Sequence, residues 1–175
     1  MEIRPAISFA KNRFGEKELT GAEIGVQTGI HAQSILDNLK IKELILIDIW
    51  GKYVQEGQSI NFAEYYREVK KRFRRHNNVK ILRRPSIKAV IRFADAYFDF
   101  VYIDGCHTYD AVIQDLNIWY PKIKQGGILC GHDFTKTLWP GVVKAVLEFC
   151  NKNTLKLNSS LTEANTRSDW WIVKE

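Results

Sequence analysis

Cysteine is scarce in this chain: Cys106, Cys130 and Cys150 are the three present, and none forms a CxxC spacing. A sparse, odd set argues for a reducing compartment rather than a disulfide framework, so the cytoplasm is the expected location. No apolar run is long enough to span a bilayer, so no membrane partner is expected. The opening stretch, MEIRPAISFAKNRFG, lacks the apolar h-region of a secretory leader. Repeats, low-complexity tracts and linkers are missing as well. The 175 residues therefore read as a single domain, 1–175, with a sizeable core.

Charge is the next feature. Lys and Arg number 26 against 20 Asp and Glu, a formal net charge of +6. The densest basic run is Lys70-Lys71-Arg72-Phe73-Arg74-Arg75. One reading is a solvated helix face whose C-terminal cations suit the helix dipole. The other is a groove for an anionic partner such as nucleic acid.

The rest of the chain is organised around FDFVYIDGCHTYDAVIQDLNIWYPKIKQGGILCGHDF, residues 98–134. Residues 98–103 form a buried strand that stops at Asp104-Gly105-Cys106-His107. A helix follows, with Tyr109, Val112, Ile113, Leu116 and Trp119 facing inward. After Gly126-Gly127 a second apolar run ends at His132-Asp133. Strand, helix, strand is a parallel unit, so both polar clusters fall at the carboxyl edge of one sheet. Ligands bind at that edge in open α/β sheets. Elsewhere, strands are expected at 22–25, 44–47, 79–82, 155–158 and 170–173. Helices are expected at 7–14, over 32–39 and 62–73, after Ser86, and over 143–150. Residues 50–60 read as a long loop. The alternation calls for a layered α/β sheet.

Glu23-Ile24-Gly25-Val26-Gln27-Thr28-Gly29 lies between the first strand and its helix. Glycines there permit a tight turn and close approach of backbone to ligand. The spacing is GxxxG, not the dinucleotide pattern GxGxxG. Asp48 ends the next strand, where a carboxylate can accept hydrogen bonds from ribose hydroxyls. An ordinary strand-to-helix turn and a surface acid are the competing readings. The joint placement favours a nucleoside ligand.

ExGxxxG, followed by an acid after the second strand, resembles the class I S-adenosylmethionine-dependent methyltransferases. The 98–134 segment is similar to their small-molecule O-methyltransferase branch, which includes the macrocin O-methyltransferase type. The resemblance covers roughly residues 21–149. It implies a Rossmann-like seven-stranded α/β sheet of order 3-2-1-4-5-7-6, with strand 7 antiparallel. It places Glu23, Gly25 and Gly29 around the methionine half of S-adenosyl-L-methionine and Asp48 on the ribose. The turn at Ser86 falls near the adenine, and Asp104 faces the same crevice as Gly25. The absence of an N/D-P-P-Y sequence after the fourth strand argues against amino methylation of a base.

Methyl transfer to oxygen needs the acceptor held close and its proton removed or weakened. In metal-dependent relatives the ligands occupy the positions of Asp104, His132 and Asp133. His132 departs from the acidic or amide residue usual there. Magnesium prefers oxygen donors, so the set suits manganese better, or no metal at all. The D-G-x-H motif places His107 as general base, in competition with a role as helix cap or loop anchor. Asp104 is the second catalytic candidate, against the bland reading that it holds the Gly105 turn.

A zinc set of Cys106, His107, Cys130 and His132 is disfavoured because adjacent strand residues face opposite ways. Trp50, Tyr53 and Trp139 form either an aromatic lid or a cover for the sheet end. Ser86 and His31 read as helix caps, His76 as surface, and Trp170 and Trp171 as packing on opposite faces. The leading expectation is an enzyme that methylates a hydroxyl of a small molecule, a sugar among the candidates. The alternatives are an RNA or other nucleic-acid methyltransferase and a cofactor-binding module without chemistry. Homo-oligomerisation and the identity of the acceptor stay open.

Overall fold

The computed structural model describes residues 3–55, 58–161 and 168–175, with the side chains of 53–55 and 58–61 outside that description. The strands β1 (Leu19–Ile24), β2 (Ile41–Asp48), β3 (Val79–Arg83), β4 (Phe98–Ile103), β5 (Ile123–Gly131), β6 (Leu157–Ser159) and β7 (Trp170–Val173) build one sheet. Their order is β3-β2-β1-β4-β5-β7-β6. The first five run parallel, while β7 is antiparallel to both β5 and β6. This is the Rossmann-like methyltransferase topology, with the reversed seventh strand that the resemblance implies.

Strand composition follows from burial on both faces. Leu44, Ile45, Leu46 and Ile47 of β2 are all buried, and β4 is buried throughout. Such runs do not alternate with polar residues because helices cover both sides of a parallel sheet. The helices α1 (Pro5–Phe14), α2 (Ile30–Asn38) and α3 (Tyr65–Arg72) pack on one face. The helices α4 (Ser86–Ala89), α5 (Tyr109–Trp119) and α6 (Pro140–Lys152) pack on the other. Ile45 and Ile47 face the second group, and Leu44 and Leu46 the first. Trp170 and Trp171 divide between the faces in the same way. Deleting a buried side chain such as Leu46 to Ala costs about 2–5 kcal/mol.

The expected long loop at 50–60 is instead a hairpin, Lys52–Gln55 against Gln58–Asn61, with Tyr53 opposite Ile60. Tyr, Val and Ile on either side of a glycine-containing pair are the signal that favours strand pairing over loop. No helix among the described residues is long and apolar enough to cross a membrane.

Register fixes what meets at the carboxyl edge. β1 lies between β2 and β4, with Ile24 opposite both Ile47 and Ile103. Gly25, Asp48 and Asp104 therefore leave three adjacent strands side by side.

Candidate functional site

A cavity of about 930 Å³ opens at this edge. It joins the Gly25–Gly29 loop to the polar clusters that follow β4 and β5. The loop is held open by backbone geometry. Gly25 has φ +85°, and a Cβ there would stand 2.1 Å from the Asp104 carbonyl oxygen, so no side chain fits. Gly29, at φ +75°, starts α2, and a Cβ would press on the Phe73 ring at 2.7 Å. Asp48 braces the loop from below. Its Oδ2 accepts the Val26 and Gln27 N–H groups, each at 2.9 Å, and its Oδ1 accepts Trp50 N–H at 2.7 Å.

Glu23 and His31 line the wall beside the loop. Glu23 is 1% exposed, and its Oε1 meets His31 Nδ1 at 3.0 Å. Burial raises the Glu23 carboxyl above its ordinary range, opposed by the His31 bond. Its Oε2 has no partner among the described residues. His31 packs at a tilt on Tyr102 with ring centroids 4.2 Å apart, and no side chain caps α2 at Gly29, so His31 is a wall residue and not the expected helix cap.

Asp104 follows β4 and receives two cations. Arg4 Nη1 donates to its Oδ2 at 2.8 Å and also to Tyr102 Oη at 2.9 Å. His107 Nε2 lies 3.8 Å from Asp104 Oδ1 and 2.8 Å from Asp133 Oδ2. Burial works against ionisation of Asp104, but the neighbouring His107 and the Arg4 charge hold it well below the usual carboxylate range. Burial likewise opposes the imidazolium of His107, yet Asp104 and Asp133 push it up to about 9. Trp139 covers this imidazole with centroids 4.4 Å apart. Asp133 has φ +57°, a left-handed conformation that Asp tolerates better than most residues.

His132 is turned the other way. Its Nδ1 meets Asp169 Oδ1 at 2.8 Å, and its Nε2 stands 3.8 Å from Asp133 Oδ1. Asp169 is fully buried and is a hub. Its Oδ1 also accepts the Tyr102 hydroxyl at 2.8 Å, and its Oδ2 accepts Ala6 N–H at 2.9 Å.

At the opposite end of the cavity, Ser86 is the first residue of α4 and does not cap it, because Pro85 holds the N-cap position. The Ser86 hydroxyl donates to Asp115 Oδ1 at 2.5 Å and accepts Trp119 Nε1–H at 2.7 Å. Burial pushes the Asp115 carboxyl up to about 6, and the Ser86 bond restrains that rise.

The expected residues thus converge, with changes of partner. Glu23, Gly25, Asp48, Ser86, Asp104, His107, His132 and Asp133 all border the cavity, while Gly29 sits at the start of α2. Among the described residues, the His, Cys and acidic groups close enough to share a cation are Asp104, His107 and Asp133, with ligand atoms within 4.8 Å of one another. The histidine of that set is His107 and not His132. The disfavoured zinc set does not assemble: the Cys130 thiol is buried against the Val101 carbonyl. Trp50 is no lid, being fully buried with its indole N–H on the Gln27 carbonyl. Tyr53's side chain lies outside the described residues, which leaves Trp139 as the aromatic over the site. His76 is half-buried rather than a plain surface residue.

Arg4, Asp115 and Asp169 were not anticipated. Asp115 carried a signal, since it stands three residues after Val112 and four before Trp119, on the buried side of α5. Arg4 reaches the site through a contact 100 residues away in sequence, and Asp169 through contacts 37 and 67 residues away, which no local pattern reveals.

Known proteins agree with this layout. Residues 22–134 match the family model described as a methyltransferase domain, which takes in more than half of the chain. An uncharacterized protein of Acanthamoeba polyphaga mimivirus is 34% identical over 141 residues, covering 77% of this chain and 61% of its own length. The chain thus spans about three fifths of that relative. Among solved structures, spermidine synthase from Thermotoga maritima superposes with a TM-score of 0.68 at 13% identity, covering 99% of this chain and 58% of that one. An rRNA methylase from Streptococcus thermophilus gives 0.68 at 14% identity, covering 99% and 98%. At such identities these two structures speak for the fold alone. The family match, the strand order and the glycine loop opposite Asp104 together place the chain in the S-adenosylmethionine-dependent methyltransferase domain family.

Proposed function

We propose that the protein transfers a methyl group from S-adenosylmethionine to a hydroxyl of a small molecule, in the manner of the macrocin O-methyltransferase branch. The observation that supports this best is the single cavity uniting the glycine loop with a proton-handling cluster, His107 between Asp104 and Asp133. The wall suits the cofactor. Glu23 offers an unpartnered carboxylate oxygen to a cationic group. Asp48 spends two of its roughly four acceptor positions on the loop and a third on Trp50 N–H, which leaves one for a ribose hydroxyl. Ser86 and Asp115 supply polar groups at the adenine end. When bound, the cofactor supplies an electrophilic methyl on a sulfonium.

The protein's own residues orient the acceptor and manage its proton. Asp104 presents a carboxylate, kept ionised by its cations, that can accept the acceptor hydroxyl. His107, once it has given up its own proton, can take the hydroxyl proton, and Asp133, whose Oδ2 lies 2.8 Å from Nε2, stabilises the imidazolium that forms. Trp139 shields the pair from water. A divalent ion would be held by Asp104, His107 and Asp133, where it would lower the pKa of a bound hydroxyl. The charge argument does not require such an ion, because Arg4 and His107 already offset the two carboxylates.

The test is release of S-adenosylhomocysteine with a panel of sugars, phenols and other hydroxyl compounds, each product located by mass spectrometry. Methylation of one class and its loss in Asp104→Ala are expected. Methyl groups found only on RNA, or no turnover with intact cofactor binding, would move the function to one of the two alternatives.

A further inference from the structure

Arg4 lies outside residues 22–134, so the family match carries no information about it. It precedes α1, whose first turn is pinned to the sheet by the Ala6 N–H bond to buried Asp169. That anchor aims the Arg4 side chain into the cavity that Glu23 also lines. Both of Arg4's side-chain hydrogen bonds leave from Nη1, to Asp104 and Tyr102. Among the described residues nothing takes the Nε and Nη2 donors. A guanidinium presents its donors as a planar fork matched to a carboxylate. Across from it stands Glu23, 1% exposed, with Oε2 unpartnered. The two line the same cavity, and the Arg4 charge opposes the burial that raises the Glu23 carboxyl.

A wall that offers an open cationic fork beside an open buried carboxylate suits a ligand carrying both charges. A purely anionic ligand would face the carboxylates of Glu23 and Asp104. A purely cationic one would face Arg4 and leave its fork unused. We propose that Arg4 and Glu23 form a clamp for an α-amino-acid zwitterion, the guanidinium taking the carboxylate and Glu23 Oε2 the ammonium. This rests on the cofactor reading above and names the part of the cofactor it reads, the methionyl end. It makes Arg4 a specificity residue that separates ligands with an intact amino acid from nucleosides without one.

The experiment is calorimetry on the full chain with two ligands, S-adenosylhomocysteine and 5′-methylthioadenosine, which share the thioadenosine and differ in the amino-acid group. Arg4→Ala is expected to weaken S-adenosylhomocysteine by about 10- to 100-fold, the scale of lost charge-assisted hydrogen bonds, and to leave methylthioadenosine within about twofold. Arg4→Lys, which keeps a charge over Asp104, should recover part of the loss. Glu23→Gln should also weaken S-adenosylhomocysteine selectively. Unchanged S-adenosylhomocysteine affinity in Arg4→Ala overturns the clamp, and so does equal weakening of both ligands, which would make Arg4 a prop for the fold. Wild-type protein that binds both ligands equally also overturns the clamp while keeping the nucleoside site. Wild-type protein that binds neither removes the cofactor reading and the clamp with it.

Discussion

Asp133 Oδ2 stands 2.8 Å from His107 Nε2, and together with Asp104 it favours the charged imidazole. Burial disfavours the charged ring, but Asp104 and Asp133 outweigh it and push its pKa up to about 9. A base must be deprotonated, so the rate is expected to rise with pH and level off above about 9. Stability should move the other way. The folded pKa exceeds the ordinary 6.5, so the contribution of this cluster is complete below about 6.5 and is lost as pH rises through about 9. A pH–rate profile on wild type and His107→Asn checks the first, with the alkaline rise absent from the variant, and thermal melts of the two proteins over the same pH range check the second. A flat wild-type profile between pH 7 and 10 would exclude His107 as the base.

Asp48→Ala should weaken S-adenosylhomocysteine binding by about 1–3 kcal/mol and also lower stability, because three backbone N–H groups lose their acceptor. Asp48→Asn should fall between, since an amide oxygen replaces only part of the carboxylate's capacity. Calorimetry and thermal melts separate the two effects. Unchanged affinity in a folded Asp48→Ala protein would remove this residue from the ribose.

Asp169 holds three donors while fully buried: Ala6 N–H, the Tyr102 hydroxyl and His132. Asp169→Ala leaves them unpaired, and breaking a buried charged network costs on the order of 3–5 kcal/mol. Denaturant unfolding should show that loss, with α1 loosening first because its first turn is tied there. Hydrogen exchange over residues 5–14 no faster than in wild type would contradict this role.

Much of this architecture was legible because burial writes itself into local spacing. The short unbroken run Leu44 to Ile47, closed by Asp48, reads as a strand covered on both faces, and Val112, Leu116 and Trp119 mark one side of α5. Gly25 announced close backbone approach, and the structure supplies the reason in the Asp104 carbonyl. The partners of the histidines were not legible. Whether Asp133 meets His107 or His132 depends on the left-handed backbone at Asp133 and on Asp169 pulling His132 away. Neither leaves a periodic trace. Arg4 is one basic residue in an unremarkable N-terminal stretch, and only the tertiary fold brings it to Asp104.

The basic run is solvent-facing apart from Phe73, which is buried under Gly29. Lys70 lies over the Tyr66 ring at 4.6 Å, and Lys70, Lys71 and Arg72 occupy the last turn of α3. Charge reversal at Lys71 and Arg75 should therefore change stability by no more than about 0.5 kcal/mol. Turnover of a small hydroxyl substrate should be unaffected. Tight RNA binding by the wild type that falls steeply with salt and vanishes in the reversed variant would instead assign the run to nucleic acid.

A divalent ion at Asp104, His107 and Asp133 would have to meet conditions that the residues themselves set. His107 can ligate only as the neutral imidazole, and its proton is held up to about 9. Arg4 already occupies Asp104 Oδ2 and must yield or share that oxygen. Binding of manganese should accordingly be weak near pH 7 and tighten as pH approaches 9, because proton release is linked to ligation. Arg4→Ala should tighten it by removing a competing cation. His107→Ala should abolish it, while His132→Ala, whose Nδ1 is committed to Asp169, should leave it nearly intact. Magnesium should bind less well than manganese, since one of the three donors is nitrogen. Calorimetric titration of each variant with both ions, after chelation and dialysis, reads these outcomes directly. Manganese affinity lost in His132→Ala but kept in His107→Ala would return His132 to the ligand set and show that the His132–Asp169 contact opens on binding.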